Sequence, residues 1–291
     1  MVRPAVATPA SPLRAKRDTL APMPTPIQQQ LAKTTDWSDV AAWYDELVGE
    51  AGSEYHRNVV LPGVMRLLAP RPGQKVLDVA CGQGVLCRLL AAAGAEATGV
   101  DASKDLIDAA KAHAKETAAR GTFFVSDARE LTGLPDGEFD AAACVLAIQN
   151  IHPIQPVCQN VARVLRPGGR FVIAMSHPAF RGPKESSWGW DGNAVQYRRV
   201  DRYLEPRKAP IVAHPGRKQQ SRYTWTFHKP IEAYVKALRN AGLLIDALEE
   251  WPSHKTSQPG PRQAAENTAR KEIPLFMALR AIKVNVPLAE E

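Results

Sequence analysis

Three carboxylates, Asp78, Asp101 and Asp127, each close a short run of β-forming residues: Lys75-Val76-Leu77, Ala97-Thr98-Gly99-Val100, and Thr122-Phe123-Phe124-Val125-Ser126. The carboxyl ends of parallel strands face the crevice where α/β proteins bind ligands, so three such acids would line one edge with hydrogen-bond acceptors. After the first acid comes Val79-Ala80-Cys81-Gly82-Gln83-Gly84, then a helical run from Val85 to Ala93. The two glycines let backbone approach a ligand, and the free N–H groups of the helix start point at it. Asp101, seventeen residues beyond Gly84, is placed to accept from two vicinal ribose hydroxyls. A dinucleotide fingerprint needs a third Gly or Ala three residues after Gly84, where Cys87 stands. It does not normally put a carboxylate before the turn either, which argues against NAD.

The elements that would hold these groups follow in order. Ser38 can open a helix through Val40, Trp43, Tyr44 and Leu47, and a second helical run from Glu54 to Leu68 is interrupted at Pro62. Ser103 caps a helix to about Arg120. Ala141 to Ile148 is a continuous apolar run, the signature of a central strand buried on both faces, and it leads into Gln149-Asn150-Ile151-His152-Pro153. A helix from about Gln155 stops at Arg166-Pro167-Gly168-Gly169, and Arg170 to Met175 is a fifth strand. A helix from Ile231, a strand from Leu243 to Glu249, a Pro/Gly-rich loop from Pro252 to Lys271 and a final strand from Leu275 to Lys283 close the sheet as an antiparallel pair.

The segment Asp78-Val79-Ala80-Cys81-Gly82-Gln83-Gly84 resembles motif I of the class I S-adenosyl-L-methionine-dependent methyltransferases, small-molecule branch, with Ala80 in place of the first glycine. Leu165-Arg166-Pro167-Gly168-Gly169 is similar to a recurrent turn of the same family. The likeness covers residues 36–180 well and 230–284 loosely. It implies a Rossmann-like, doubly wound α/β sheet of seven strands, mostly parallel with an antiparallel last strand, helices on both faces and a cap insertion after strand five. It also implies that Asp78 lies near the amino acid part of the cofactor and that Ala80, Gly82 and Gly84 pass under its adenosyl group. Asp101 and Ala102 would meet the ribose, Asp127 and Ala128 the adenine, and Leu146 the same ligand from the fourth strand. Tyr44, in the lid-like Ala41-Ala42-Trp43-Tyr44-Asp45, would touch it from above.

Methyl transfer from a sulfonium is an in-line displacement with an activated leaving group, so proximity does most of the work and a base is needed only for some acceptors. His177 is the preferred base and His152 the second, with His228 beside the same pocket. Residues 181–229 carry eleven Lys/Arg against four acids, and they read as a substrate cap with no long helix. Asn150, Trp188, Trp190, Tyr197 and His228 are its candidate acceptor contacts, suiting an aromatic or anionic small molecule. With one amide and no acid after the fourth strand, no metal is expected. Two alternatives stand beside this reading: an RNA methyltransferase using the basic, aromatic insertion, and a protein that binds the cofactor without turnover.

Composition sets the outer limits. The 291 residues, 45% hydrophobic with net charge +7, suffice for one large core. Residues 1–34 are proline-rich with five Lys/Arg against Asp18, and read as a disordered tail before a domain over 35–291. Four cysteines without metal-ligand spacing suggest small hydrophobes in a reducing, cytoplasmic setting, and no apolar stretch suits a membrane span.

Overall fold

Alternation within β1 (Lys75–Val79) decides how the sheet is covered. Leu77 and Val79 point into one core with Val157, Val161 and Leu238. Val76 points into the other with Leu67, Leu90 and Ile107. A strand whose successive side chains face opposite sides can be apolar throughout only if helices cover both faces. The computed structural model describes residues 52–116, 121–183, 185–192, 194–212 and 223–284, together with Trp37, Ala41, Glu46 and Gly49. The tail expected over residues 1–34, the Ser38 cap, Tyr44 and the end of the helix near Arg120 lie outside the described residues.

Seven strands form one sheet in the order β10-β11-β5-β4-β1-β2-β3. The central strands β2 (Glu96–Asp101), β3 (Gly121–Val125), β4 (Phe139–Val145) and β5 (Leu165–Ser176) run parallel to β1. β11 (Phe276–Lys283) lies antiparallel between β5 and β10 (Leu243–Trp251), so the Rossmann-like sheet with its reversed last strand is as the sequence suggested. One face carries α1 (Leu61–Leu68), α2 (Val85–Ala92) and α3 (Lys104–Glu116); the other carries α4 (Gln155–Val164) and α5 (Ile231–Asn240). Among the described residues no helix is long and apolar enough to cross a membrane.

Two elements differ from the sequence reading. The helix expected to break at Pro62 instead runs on, with a π-turn over His56–Val60 immediately before α1 and the Leu61 N–H bonded to the His56 carbonyl. The wider turn keeps the proline ring off the carbonyl four residues back. The loop placed over Pro252 to Lys271 contains α6 (Gln263–Glu272). Good helix formers such as Ala264, Ala265, Glu266, Ala269 and Arg270 outweigh the Pro259-Gly260-Pro261 stretch that precedes them.

The insertion is two antiparallel hairpins, β6 (Ser186–Asp191) with β7 (Val195–Val200) and β8 (Arg207–Val212) with β9 (Tyr223–His228). The outer hairpin is tied to α6 where the Arg262 guanidinium lies 4.5 Å from the Trp190 ring.

Gly63 sits beneath Trp251, whose Cζ2 would be 2.3 Å from an added Cβ. We predict that Gly63→Ala lowers stability by about 1–3 kcal/mol through overpacking, read as a shifted urea midpoint. An unchanged midpoint would mean that the indole does not lie on this helix.

Candidate functional site

At the carboxyl ends of β1, β2, β3 and β4 lies a cleft of about 750 Å³ including its mouth, lined in part by Ala80, Gly82, Asp101, Ala102, Ala128 and Leu146. Asp101 organises it. One carboxylate oxygen accepts the Gly82 N–H at 3.0 Å and the other accepts the Ser103 N–H at 2.9 Å. Burial pushes the carboxyl up from its ordinary value while these backbone donors pull it down. A carboxylate has about four lone-pair sites, so acceptor capacity remains for two ligand hydroxyls. Ser103 fulfils the expected capping role, its Oγ accepting the Leu106 N–H at 3.4 Å.

Two residues of this wall carry backbone strain. Ala80 and Leu146, both on the cleft wall, have φ of 57° and 52°. The left-handed region costs an L-residue roughly 1–2 kcal/mol, and such costs gather at functional sites. Gly84, φ 78°, has another reason to lack a side chain: an added Cβ would be 2.9 Å from Phe123. It is not among the residues lining the cleft, and its bare Cα serves the packing of helix on strand.

Asp78 lies in an adjoining recess that shares Ala80 with the main cleft and adds His56 and Gln83. Burial pushes its carboxyl up to about 7, and the Cys87 thiol donates to it at 3.6 Å. Asp127 lines the main cleft, but Arg129 grips it through its backbone N–H at 2.8 Å and its guanidinium at 2.6 Å, holding the carboxyl below its ordinary value. Arg129 therefore joins the site, a residue sequence reasoning missed although it stands two places from the acid. Trp37 also lines the cleft, while Tyr44 falls outside the described residues.

A second cavity, about 630 Å³, opens beneath the inner hairpin. Asn150 is on the wall of both; it is 8% exposed, and its Oδ1 has no hydrogen-bond partner. Ser126 Oγ, in the main cleft, is likewise buried without a partner. Orphaned buried acceptors are costly and mark places a ligand satisfies.

The histidines separate by what their nitrogens do. His177, the preferred base by sequence, is fully committed: its Nε2 is 2.7 Å from Glu250, and its Nδ1 accepts the Ala179 N–H at 3.2 Å and the Phe180 N–H at 3.4 Å. A ring with its lone pair on backbone donors has none for a substrate proton, so the base expectation is corrected to a loop-holding role. His152 is on the main cleft wall, stacked on Phe227 at 5.2 Å, with its pKa lowered by burial and by Lys229, Arg129 and Lys208. His228 lines the second cavity, and its Nε2–H donates to the Tyr203 carbonyl at 2.7 Å. Since a carbonyl can only accept, the lone pair is fixed on Nδ1. Burial lowers this ring's pKa, so it is neutral at pH 7.

The outer aromatics are not at either cavity. Trp188 stacks with Arg198 at 5.0 Å across its hairpin, Trp190 with Arg262, and Tyr197 covers Gly189, whose added Cβ would lie 2.4 Å from the ring. They hold the outer hairpin together, which corrects their assignment as acceptor contacts. Phe227, Tyr234 and Lys229 line the second cavity in their stead. Thr226, Phe227 and His228 line it in succession, so strand alternation does not single out Phe227, and nothing local marks Tyr234 or Lys229.

Residues 76–169 match a family model described as a methyltransferase domain. A demethylmenaquinone methyltransferase of Tropheryma whipplei is 33% identical over 154 residues, 51% of this chain and 56% of that one. A ubiquinone biosynthesis O-methyltransferase of Xanthomonas oryzae pv. oryzae is 30% identical over 102 residues, 35% of this chain and 43% of that one, so this chain spans under half of that relative's length. An S-adenosylmethionine-dependent methyltransferase structure from Mesorhizobium loti superposes with a TM-score of 0.61 at 24% identity, over 80% of this chain and 100% of that one, a likeness of fold.

Asp78 gives the site a pH signature. Its carboxyl keeps its proton in the folded protein up to about 7, against an ordinary value of 3.8. The stability it contributes is therefore complete below about pH 4 and is lost as pH rises through about 7. We predict that, relative to Asp78→Asn, the wild-type protein loses on the order of a few kcal/mol between pH 4 and pH 8 in denaturant titrations. Parallel stability curves for the two proteins would refute the buried, protonated carboxyl.

Proposed function

We propose, from the premise that residues 76–169 are a methyltransferase domain set in a class I sheet, that the protein transfers a methyl group from S-adenosyl-L-methionine to a small-molecule acceptor. The observation that carries this is the pair of adjoining cavities with Asn150 on the shared wall, because displacement needs donor and acceptor in line across one boundary. The residues fit the cofactor: Asp101 has spare acceptor capacity for two hydroxyls, Asp78 can meet an ammonium, and Ser126 and Asn150 present unpaired acceptors. The bound cofactor would supply an activated methyl with a neutral thioether as leaving group.

The chain's own residues do the rest. The strained turns at Ala80 and Leu146 bring backbone against the ligand, and the second cavity would hold the acceptor beside it. His228, neutral and with its lone pair fixed on Nδ1, is the group suited to taking a proton from an acceptor hydroxyl or amine. The relatives' names, covering quinone biosynthesis, support a cyclic small-molecule acceptor with an oxygen or carbon reaction centre. Nitrogen acceptors belong to the same chemistry. Four free thiols support a cytoplasmic, reducing setting.

The nucleic-acid alternative loses support from the cap's own pairing. Arg198 and Lys208 lie over Trp188 and Trp225, and Arg199 and Arg202 pair with Asp201 and Glu205. These four described cations are held in internal contacts and are less available to phosphates.

Calorimetric titration with S-adenosylhomocysteine, followed by transfer of labelled methyl from the cofactor to a small-molecule extract, tests the reading. We predict saturable binding that Asp101→Asn weakens about 10–100-fold, the loss of charge-assisted hydrogen bonds. Absence of binding removes the assignment, and binding without label transfer to any extract component reduces it to a cofactor-binding protein.

A further inference from the structure

The second cavity is polarised in one direction. Among its lining residues there is no Asp or Glu, whereas Lys229 and Arg181 are both present. Lys229 is 7% exposed, and its ammonium donates to the Ile151 carbonyl at 3.1 Å and the Phe227 carbonyl at 3.3 Å. An ammonium has three donors, so one is left over, and no described carboxylate pairs with it. A buried cation held by two carbonyl dipoles and, at 5.4 and 6.0 Å, by the rings of Phe227 and Tyr234 has no carboxylate beside it to offset its desolvation, and an entering anion would supply that counter-charge. Burial lowers the Lys229 pKa to about 8, which leaves it mostly charged at neutral pH. Arg181, exposed and lining the same cavity, has no ion pair or side-chain hydrogen bond among the described residues, in contrast to the paired arginines of the cap. Phe227 and Tyr234 line the same cavity and give it aromatic surface that suits a ring.

We infer that the acceptor is an anion, a ring-bearing carboxylate or phosphate ester whose oxyanion is held by Lys229 and Arg181 while its ring packs on Phe227. This names the substrate class of the acceptor cavity and rests on the methyltransferase reading above. Of the cap's seven described cations, Arg198, Arg199, Arg202, Arg207 and Lys208 are engaged within the protein, whereas Lys229 and Arg181 have no carboxylate partner among the described residues. Lys229 acts by binding, since its donors fix the acceptor's anionic end and so set which atom faces Asn150 and His228.

The experiment uses the full chain and three probes of one shape: benzoate, phenyl phosphate and the neutral benzamide, titrated calorimetrically with and without saturating S-adenosylhomocysteine. Benzoate or phenyl phosphate should bind at least tenfold more tightly than benzamide, and the tighter of the two identifies the oxyanion. Lys229→Met should abolish the preference and Arg181→Gln should reduce it several-fold, with S-adenosylhomocysteine affinity unchanged in both. The inference is overturned if benzamide binds as well as the anions, if neither anion saturates below roughly 10 mM, or if the preference persists in the variants. Should Lys229→Met fail to fold, Arg181→Gln decides alone, and an unaltered preference there is fatal. Loss of S-adenosylhomocysteine binding in the wild-type protein would instead strike the methyltransferase reading, so the two failures are read separately.

Discussion

The site depends on one carboxylate shared between two turns. Asp101 takes the N–H of Gly82 from the turn after β1 and the N–H of Ser103 from the turn after β2. Backbone bonds run the same way: the Cys81 N–H reaches the Val100 carbonyl at 2.9 Å, and the Ser126 N–H reaches the Asp101 carbonyl at 2.9 Å. Three consecutive strand ends are thereby tied into one rim. Charge-assisted bonds to backbone N–H groups are worth more than neutral ones, and their geometry fixes the rim before any ligand arrives. An ordered rim lowers the entropy cost of binding, which is what preorganisation means here.

That rigidity lets the protein hold conformations its residues disfavour. Ala80 adopts a positive φ because its neighbours are pinned: Asp78 is buried at the end of a central strand, and Gly82 is anchored by Asp101. Leu146 is held likewise by its N–H on the Ala174 carbonyl at 2.7 Å. The buried carboxyl of Asp78 is a further cost of the same kind, a charge site placed in low dielectric and relieved by its proton. Two strained residues and one desolvated acid thus share one rim, and the rest of the sheet, with its two continuous cores, supplies the stability that sustains them.

What could be read from residue order alone follows from this division. The acids at strand ends, the glycine turn, the Ser103 cap and the antiparallel closing pair are local patterns or consequences of strand order, and each was legible. The roles of the histidines were not. Whether His177 can act as a base depends on Glu250, seventy-three residues away, and on two backbone N–H groups of its own turn. The burial of Lys229 depends on the Ile151 carbonyl, seventy-eight residues away. Aromatic richness in the cap was visible, but Trp188 and Trp190 bind arginines of the protein itself, a pairing that composition cannot distinguish from a waiting pocket. The π-turn before Pro62 belongs to the same class, since a proline that breaks one helix is accommodated in another by a single widened turn.

The distribution of charge across the shared wall bears on the chemistry. The main cleft and its recess are lined by Asp78, Asp101 and Asp127, while the second cavity carries Lys229 and Arg181 and no acid. A cation is attracted to the first and repelled from the second, and an anion the reverse, so the wall separates the two signs. Asn150, uncharged and with an unpaired Oδ1, is the residue that can stand at the boundary without favouring either sign. Of the three carboxylates Asp127 is already neutralised by Arg129, so the attraction of the first cavity for a cation rests on Asp101 and, once its proton leaves, on Asp78. The acid that folds the rim and the acid that destabilises it therefore supply the same field, which ties the stability of the empty protein to its readiness for ligand.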